Sequence, residues 1–136
     1  MSAGYVLDTF AVIAYLRGEP AAERVQALLA EAEAGRLRLY LCLVNYGEAV
    51  YISERQGGRP AAEEAIRIVD ALPVEVVPAD RNLTFAAAHI KAHHRLSYAD
   101  AFAVALTQQL NAVIVTGDPE FKSVEGIVRI EWLKQP

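Results

Sequence analysis

Ala112-Val-Ile-Val-Thr116, followed at once by Gly117-Asp118-Pro119, is the stretch that decides the fold. Three β-branched apolar residues in a row, closed by threonine, read as a strand buried on both faces, and Gly-Asp-Pro turns the chain away from it. Immediately before it, Ser97 opens a segment to Leu110 with Phe102, Ala105 and Leu106 at helical spacing. A helix that feeds a doubly buried strand belongs to a parallel sheet, in which crossovers are right-handed and helices cover both faces. Further out the same alternation recurs. Tyr5-Val-Leu-Asp8 predicts a strand and Thr9 to Leu16 a helix. Val25, Leu28, Leu29 and Ala32 predict a second helix that ends by Gly35. Arg38 to Val44 reads as a second covered strand that exits at Asn45, and Val74 to Val77 as a third. Helices are expected over Asn45 to Gln56, stopped by Gly57-Gly58, over Pro60 to Leu72, and from an Asp80 cap to about Arg95. Ile127 to Ile130 predicts a last strand after a short turn or helix. The expectation is a three-layer α/β/α sandwich around a mostly parallel sheet of four to five strands, with ligands beyond the carboxyl ends of those strands.

Length and composition narrow the classes. With 136 residues, 54% hydrophobic and 22% charged, the chain is too apolar for disorder, and residues 1–136 are expected to form a single domain. The apolar run Phe10 to Leu16 is far below the roughly 20 residues that span a bilayer, so no membrane association is expected. Asp8 stands before that run, where a secretory leader would carry basic residues. The single cysteine, Cys42, excludes an intramolecular disulfide and a cysteine metal cage, and a cytoplasmic location follows as the default. A net charge of −4 argues against a histone-like role, yet ten of the thirteen basic residues are arginine, whose planar fork pairs with phosphate.

Four acids are expected at one rim. Asp8 ends the first strand, Glu48 lies in the first turn of the helix after the second, Asp118 follows the Ala112–Thr116 strand, and Asp100 falls in the first turn of the helix opened by Ser97. Each has an ordinary structural explanation. Asp8 and Asp118 suit helix N-caps, and the Asn45/Glu48 and Ser97/Asp100 spacings match capping boxes. Caps need not cluster, however, whereas gathered carboxylates repel one another by about 3 kcal/mol per pair at about 5 Å and an effective dielectric of about 20. Such a group must take up protons or hold cations. Oxygen ligands of this kind suit Mg²⁺ or Mn²⁺, ions that serve in phosphodiester cleavage.

With those residues in view, the chain resembles a known family. Tyr5-Val-Leu-Asp8-Thr9, Asn45-Tyr-Gly-Glu48, Leu96-Ser-Tyr-Ala-Asp100-Ala101 and Val115-Thr-Gly-Asp118-Pro-Glu-Phe121 are similar, in order and spacing, to the four motifs of PIN-domain ribonucleases. More closely, the chain is similar to the small single-domain toxins of VapBC toxin–antitoxin pairs. The resemblance implies a parallel sheet sandwiched by helices. It also implies metal-binding roles for Asp8, Glu48, Asp100 and Asp118, and a Thr116 hydroxyl that positions a carboxylate or water, with Thr9 and Asn45 as lesser motif positions. RNA as substrate, Mg²⁺ or Mn²⁺ as cofactor, a homodimer, and a small antitoxin lying across helices near the site follow from the same resemblance. Two readings stand beside it: an RNA-processing nuclease of the same chemistry without an antitoxin, and a non-catalytic interaction module whose acids are helix caps.

Other signals are weaker. His89 and His93 share a helix face, but the glutamate of a zinc-binding HExxH segment is absent, and a solvated face is expected. The basic cluster of His89, Lys91, His93, His94 and Arg95, along with Arg17, Arg36 or Arg38, could meet RNA phosphate. Gly57-Gly58 lacks a preceding strand and a following Lys-Ser/Thr, so it is no phosphate loop. Tyr40, Tyr46, Tyr51 and Tyr98 could stack on bases but more often serve in cores or interfaces.

Overall fold

The computed structural model describes residues 3–134. Its five strands are β1 (Ala3–Leu7), β2 (Leu37–Cys42), β3 (Val74–Val77), β4 (Val113–Thr116) and β5 (Arg129–Trp132). They pair in the order β3-β2-β1-β4-β5, and every pairing is parallel. The helices are α1 (Thr9–Arg17), α2 (Ala22–Glu33), α3 (Leu43–Asp70), α4 (Arg81–His93) and α5 (Tyr98–Gln109), and Pro119–Val124 form a 3₁₀ helix.

The alternating faces of the central strand explain the layers. Val6 and Leu7 are both buried but point to opposite sides of the sheet. Val6 and Ile114 pack with α4, α5 and the 3₁₀ helix through Leu83, Ile90, Phe102, Leu106 and Phe121. Leu7 and Val115 pack with α1, α2 and α3 through Val12, Val25, Leu28, Tyr46 and Val69. The expected sandwich is therefore present, with five strands. The order turns about β1, since the chain leaves β1 for β2 on one side and reaches β4 on the other, and such a switch point opens a crevice at the carboxyl rim. Among the described residues no helix is long and apolar enough to cross a membrane.

Local chemistry sets the boundaries. Asp8 caps α1 by accepting from the Ala11 N–H at 2.9 Å, and Gly18, with φ of 64°, closes α1 in the left-handed region. The Gly57-Gly58 stop appears as a break at Gly58 (φ 76°, ψ −177°) within α3, after which Pro60 restarts the helix. Several expected boundaries shift, among them two at strand ends. β2 ends at Cys42 and α3 begins at Leu43, so Leu43 and Val44 belong to the helix, not the strand. Ile127 and Val128 precede β5, which pairs from Arg129 opposite Val113.

Phe121 is fully buried under the sheet and fixes the 3₁₀ helix that carries the residues after β4. Phe121→Ala should lower stability by about 3–5 kcal/mol. A reduced urea midpoint with an unchanged m value would show it, and an unchanged midpoint would contradict this packing.

Candidate metal centre

The carboxyl rim opens into a cavity of about 500 Å³ whose lining includes Asp8, Glu48, Asp100 and Asp118. All four expected acids therefore meet, each delivered by a different part of the chain. Asp8 follows β1 and is 1% exposed. Its Oδ1 accepts from the Ala11 N–H, and its Oδ2 accepts a short hydrogen bond from the Thr116 hydroxyl at the end of β4. Thr116, also buried, accepts from the Asp118 N–H at 3.0 Å, so one hydroxyl ties the two rim acids of β1 and β4 together. Asp118 in turn caps the 3₁₀ helix by accepting from the Glu120 N–H at 2.9 Å.

Glu48 and Asp100 are set by a second network. Thr9 Oγ1 donates to Glu48 Oε1 at 2.6 Å. The Asn45 amide donates to Thr9 Oγ1 at 3.2 Å and to the Ala99 carbonyl at 3.0 Å, next to Asp100. Ser97 caps α5 by accepting from the Asp100 N–H at 3.2 Å, as its spacing predicts. The Asn45/Glu48 capping box does not form. Because α3 begins at Leu43, after a Cys42 cap with no side-chain bond, Asn45 lies inside the helix and Glu48 falls in its second turn, not its first. Asn45 is fully buried and spans α1, α3 and α5 instead, and among the described residues its Oδ1 has no hydrogen-bond partner.

Sequence reasoning missed Glu120. Carboxylate oxygens of Asp100, Asp118 and Glu120 lie within 4.8 Å of one another. Its only signal was its place two residues after Asp118, in a segment expected as a short turn or helix. Gly117 is the other quiet participant, because a Cβ there would meet the Phe10 ring at 2.4 Å, and Phe10 lines the cavity. His89 and His93 are exposed neighbours on α4 with ring centroids 4.8 Å apart, and the described residues offer them no third ligand.

The electrostatics fit a cation. Burial pushes the Asp8 carboxyl up to about 8, against the Thr116 and Ala11 hydrogen bonds, and Asp100 and Asp118 push it the same way. Burial also raises Asp100 to about 7, with further upward pressure from Asp118, Glu48 and Glu120. Among the described residues Arg17 is the one cation that lines the cavity, and it already faces Glu19 at 3.7 Å. A hard divalent ion would supply the missing positive charge, and the donor set, all oxygen, matches the preference of Mg²⁺ or Mn²⁺.

Comparisons agree with the architecture. The PIN domain family model matches residues 5–127. No curated protein sequence matches the chain significantly. Among solved structures, VapBC2 from Rickettsia felis, bound to a DNA fragment from its promoter, is similar with a TM-score of 0.76 at 14% identity over 96% of this chain and 99% of that one. VapC20 of Mycobacterium tuberculosis, a sarcin-ricin loop cleaving toxin, gives 0.73 at 20% identity over 88% and 94%. A toxin–antitoxin complex from Klebsiella pneumoniae gives 0.69 at 18% identity over 99% and 100%.

Because Asp8 and Asp100 titrate above the ordinary value of 3.8, the metal-free native protein holds protons that the unfolded chain sheds between about pH 4 and pH 8. The stability these two groups confer is full below about pH 4 and is lost as pH rises through 7 and 8. The thermal midpoint in EDTA should therefore fall between about pH 5 and 8.5, and Mn²⁺ should restore most of the loss at the upper end. Calorimetry showing a flat profile in EDTA would contradict the buried acid pair.

Proposed function

This chain belongs to the PIN domain family, and we propose that it is a metal-dependent endoribonuclease, the toxin component of a toxin–antitoxin pair, built as one nuclease domain over residues 1–136. The observation that carries the reading is the convergence of Asp8, Glu48, Asp100 and Asp118 on one cavity with a buried threonine fixed between two of them. The helix-cap explanation of these acids does not compete with it. Asp8, Asp118 and the Ser97–Asp100 pair do cap helices, and the caps are what hold the carboxylates in place.

Asp8, Glu48 and Asp100 would hold the principal Mg²⁺ or Mn²⁺, directly or through water, and Asp118 would complete the site or orient the attacking water. The bound ion supplies Lewis-acid polarisation of the phosphodiester and a more acidic water. Thr116 fixes the rotamer of Asp8, Thr9 fixes Glu48, and Asn45 joins Thr9 to α5. Phe10, Ile13 and Ile52 make up an apolar part of the wall.

The toxin part rests on the family and on what the similar structures are described as being. It brings with it a homodimer, a cytoplasmic location and an antitoxin whose segment lies near the site. Ile13 and Arg17 line both the acid cavity and an adjoining groove of about 310 Å³ that runs past Leu16, Ala61, Ala65 and Ile68. A segment in that groove would reach the acids without rearrangement of the helices.

Purified, antitoxin-free protein incubated with total cellular RNA and Mn²⁺ should give discrete cuts that EDTA abolishes. Asp8→Asn and Asp100→Asn should each lower cleavage about 100-fold while the protein stays folded, since asparagine can keep the Asp8 cap and the Ser97 hydroxyl that caps α5 is left in place. Cleavage retained in both variants, with contaminating nuclease excluded, would sink the assignment. Growth arrest on expression alone, relieved by a co-expressed neighbouring small protein, separates the toxin from an RNA-processing enzyme of the same chemistry.

A further inference from the structure

The acid cavity accounts for a phosphodiester, and among the described residues the one aromatic ring in its lining, Phe10, is half-buried and packed against Gly117. The candidate tyrosines divide sharply by burial. Tyr46 is core and Tyr40 is half-buried, whereas Tyr51 and Tyr98 are 47% and 46% exposed. The Tyr98 ring is engaged by Phe102, with centroids 5.1 Å apart. Tyr51 stands three residues after Glu48 on α3, hence on the same face one turn along, and its hydroxyl reaches Glu48 Oε2 at 3.4 Å. Arg55, one further turn on, places its guanidinium carbon 5.0 Å from the centre of the Tyr51 ring. Tyr51, Glu54 and Arg55 line an open depression of about 430 Å³. Glu48 lines the acid cavity, so the Tyr51–Glu48 contact links the two hollows although they share no lining residue.

We propose that Tyr51 and Arg55 form a nucleobase subsite, in which an unpaired base next to the cleaved bond stacks on Tyr51 while Arg55 meets the neighbouring phosphate. The proposal rests on the ribonuclease reading and requires the base beside the cut to be outside a duplex, because a base within a duplex is stacked on both faces. The arginine–tyrosine contact by itself is not the signal. Such contacts recur about once per 70–80 residues, and this chain has others at Arg38/Tyr40 and Arg81/Phe85. What sets Tyr51 apart is its place: of the three aromatic residues, it is the one bonded to an acid of the cavity.

The test uses an RNA oligonucleotide spanning a mapped cut, and versions in which either nucleotide flanking the cut is abasic. Tyr51→Ala should raise KM about ten-fold or more with Mn²⁺ affinity unchanged. Tyr51→Phe, which keeps the ring, should recover most of the KM lost in Tyr51→Ala, whereas Phe85→Ala, which removes another exposed ring outside the cavity, should stay close to the unmodified protein. One abasic position should weaken cleavage by the unmodified protein and cause no further loss in Tyr51→Ala. An unmodified protein indifferent to both abasic positions, or a Tyr51→Ala variant with normal KM, overturns the subsite while the nuclease stands. Normal cleavage by Tyr51→Ala together with weakened antitoxin capture would give the surface to the protein partner and overturn it equally. An unmodified protein that cuts no RNA overturns the ribonuclease reading and the subsite with it.

Discussion

Asp8 is a carboxylate held out of water at the end of the central strand, gripped from both sides by groups that belong to different parts of the chain. The Ala11 N–H holds one oxygen and so starts α1, and the Thr116 hydroxyl holds the other and so registers β4 against β1. Burial makes its ionised form unfavourable, and the neighbouring acids add to that. Only a proton or a cation relieves the conflict. The rest of the rim follows from it, because the residues that surround Asp8 must bring oxygen ligands and hydrogen-bond donors in place of apolar contacts. A fold that sought stability alone would have filled this end of the crevice with side chains like Ile114 and Val115.

The second network shows how little of such a site rests on the acids themselves. Asn45 touches Thr9 on α1 and the Ala99 carbonyl at the start of α5, while it is itself anchored in α3. Thr9 then orients Glu48. One amide thus sets the mutual placement of three helices at the point where their acids converge. Its unsatisfied carbonyl marks the place where a purely structural residue would be a poor choice, since a buried acceptor without a donor costs about 1–3 kcal/mol.

Much of this was legible in the sequence, for identifiable reasons. Strands buried on both faces leave continuous apolar runs, so Val113 to Thr116 and Tyr5 to Leu7 announced themselves, and polar residues at their ends were conspicuous against them. Thr116 and Asp118 came through because a parallel sheet sends every strand end to the same rim. The start of α3 was not legible. Leu43 and Val44 continue an apolar run, and Cys42 gives no capping signal, so Asn45 took a cap's role in the reading although it is a buried cross-brace. Glu120 was hidden for a different reason. It is an exposed acid in a short 3₁₀ helix, and only the turn at Asp118 directs it toward Asp100. The exposed ring of Tyr51 could not be told from the buried ring of Tyr46 until the helix phase was fixed.

The strand order has a consequence for the life of the polypeptide. β1 is translated first, but its two neighbours are β2 and β4, and the acids of the rim sit at positions 8, 48, 100 and 118. During synthesis the first carboxylate therefore waits for nearly the whole chain before its companions and the Thr116 hydroxyl exist. A ribosome that stalls before β4, or a protease that removes the segment from Val113 onward, leaves a fragment in which Asp8 has neither its bracing hydroxyl nor Asp118. The complete set of four acids with its bracing hydroxyl therefore exists only once the segment from Val113 onward has joined the sheet.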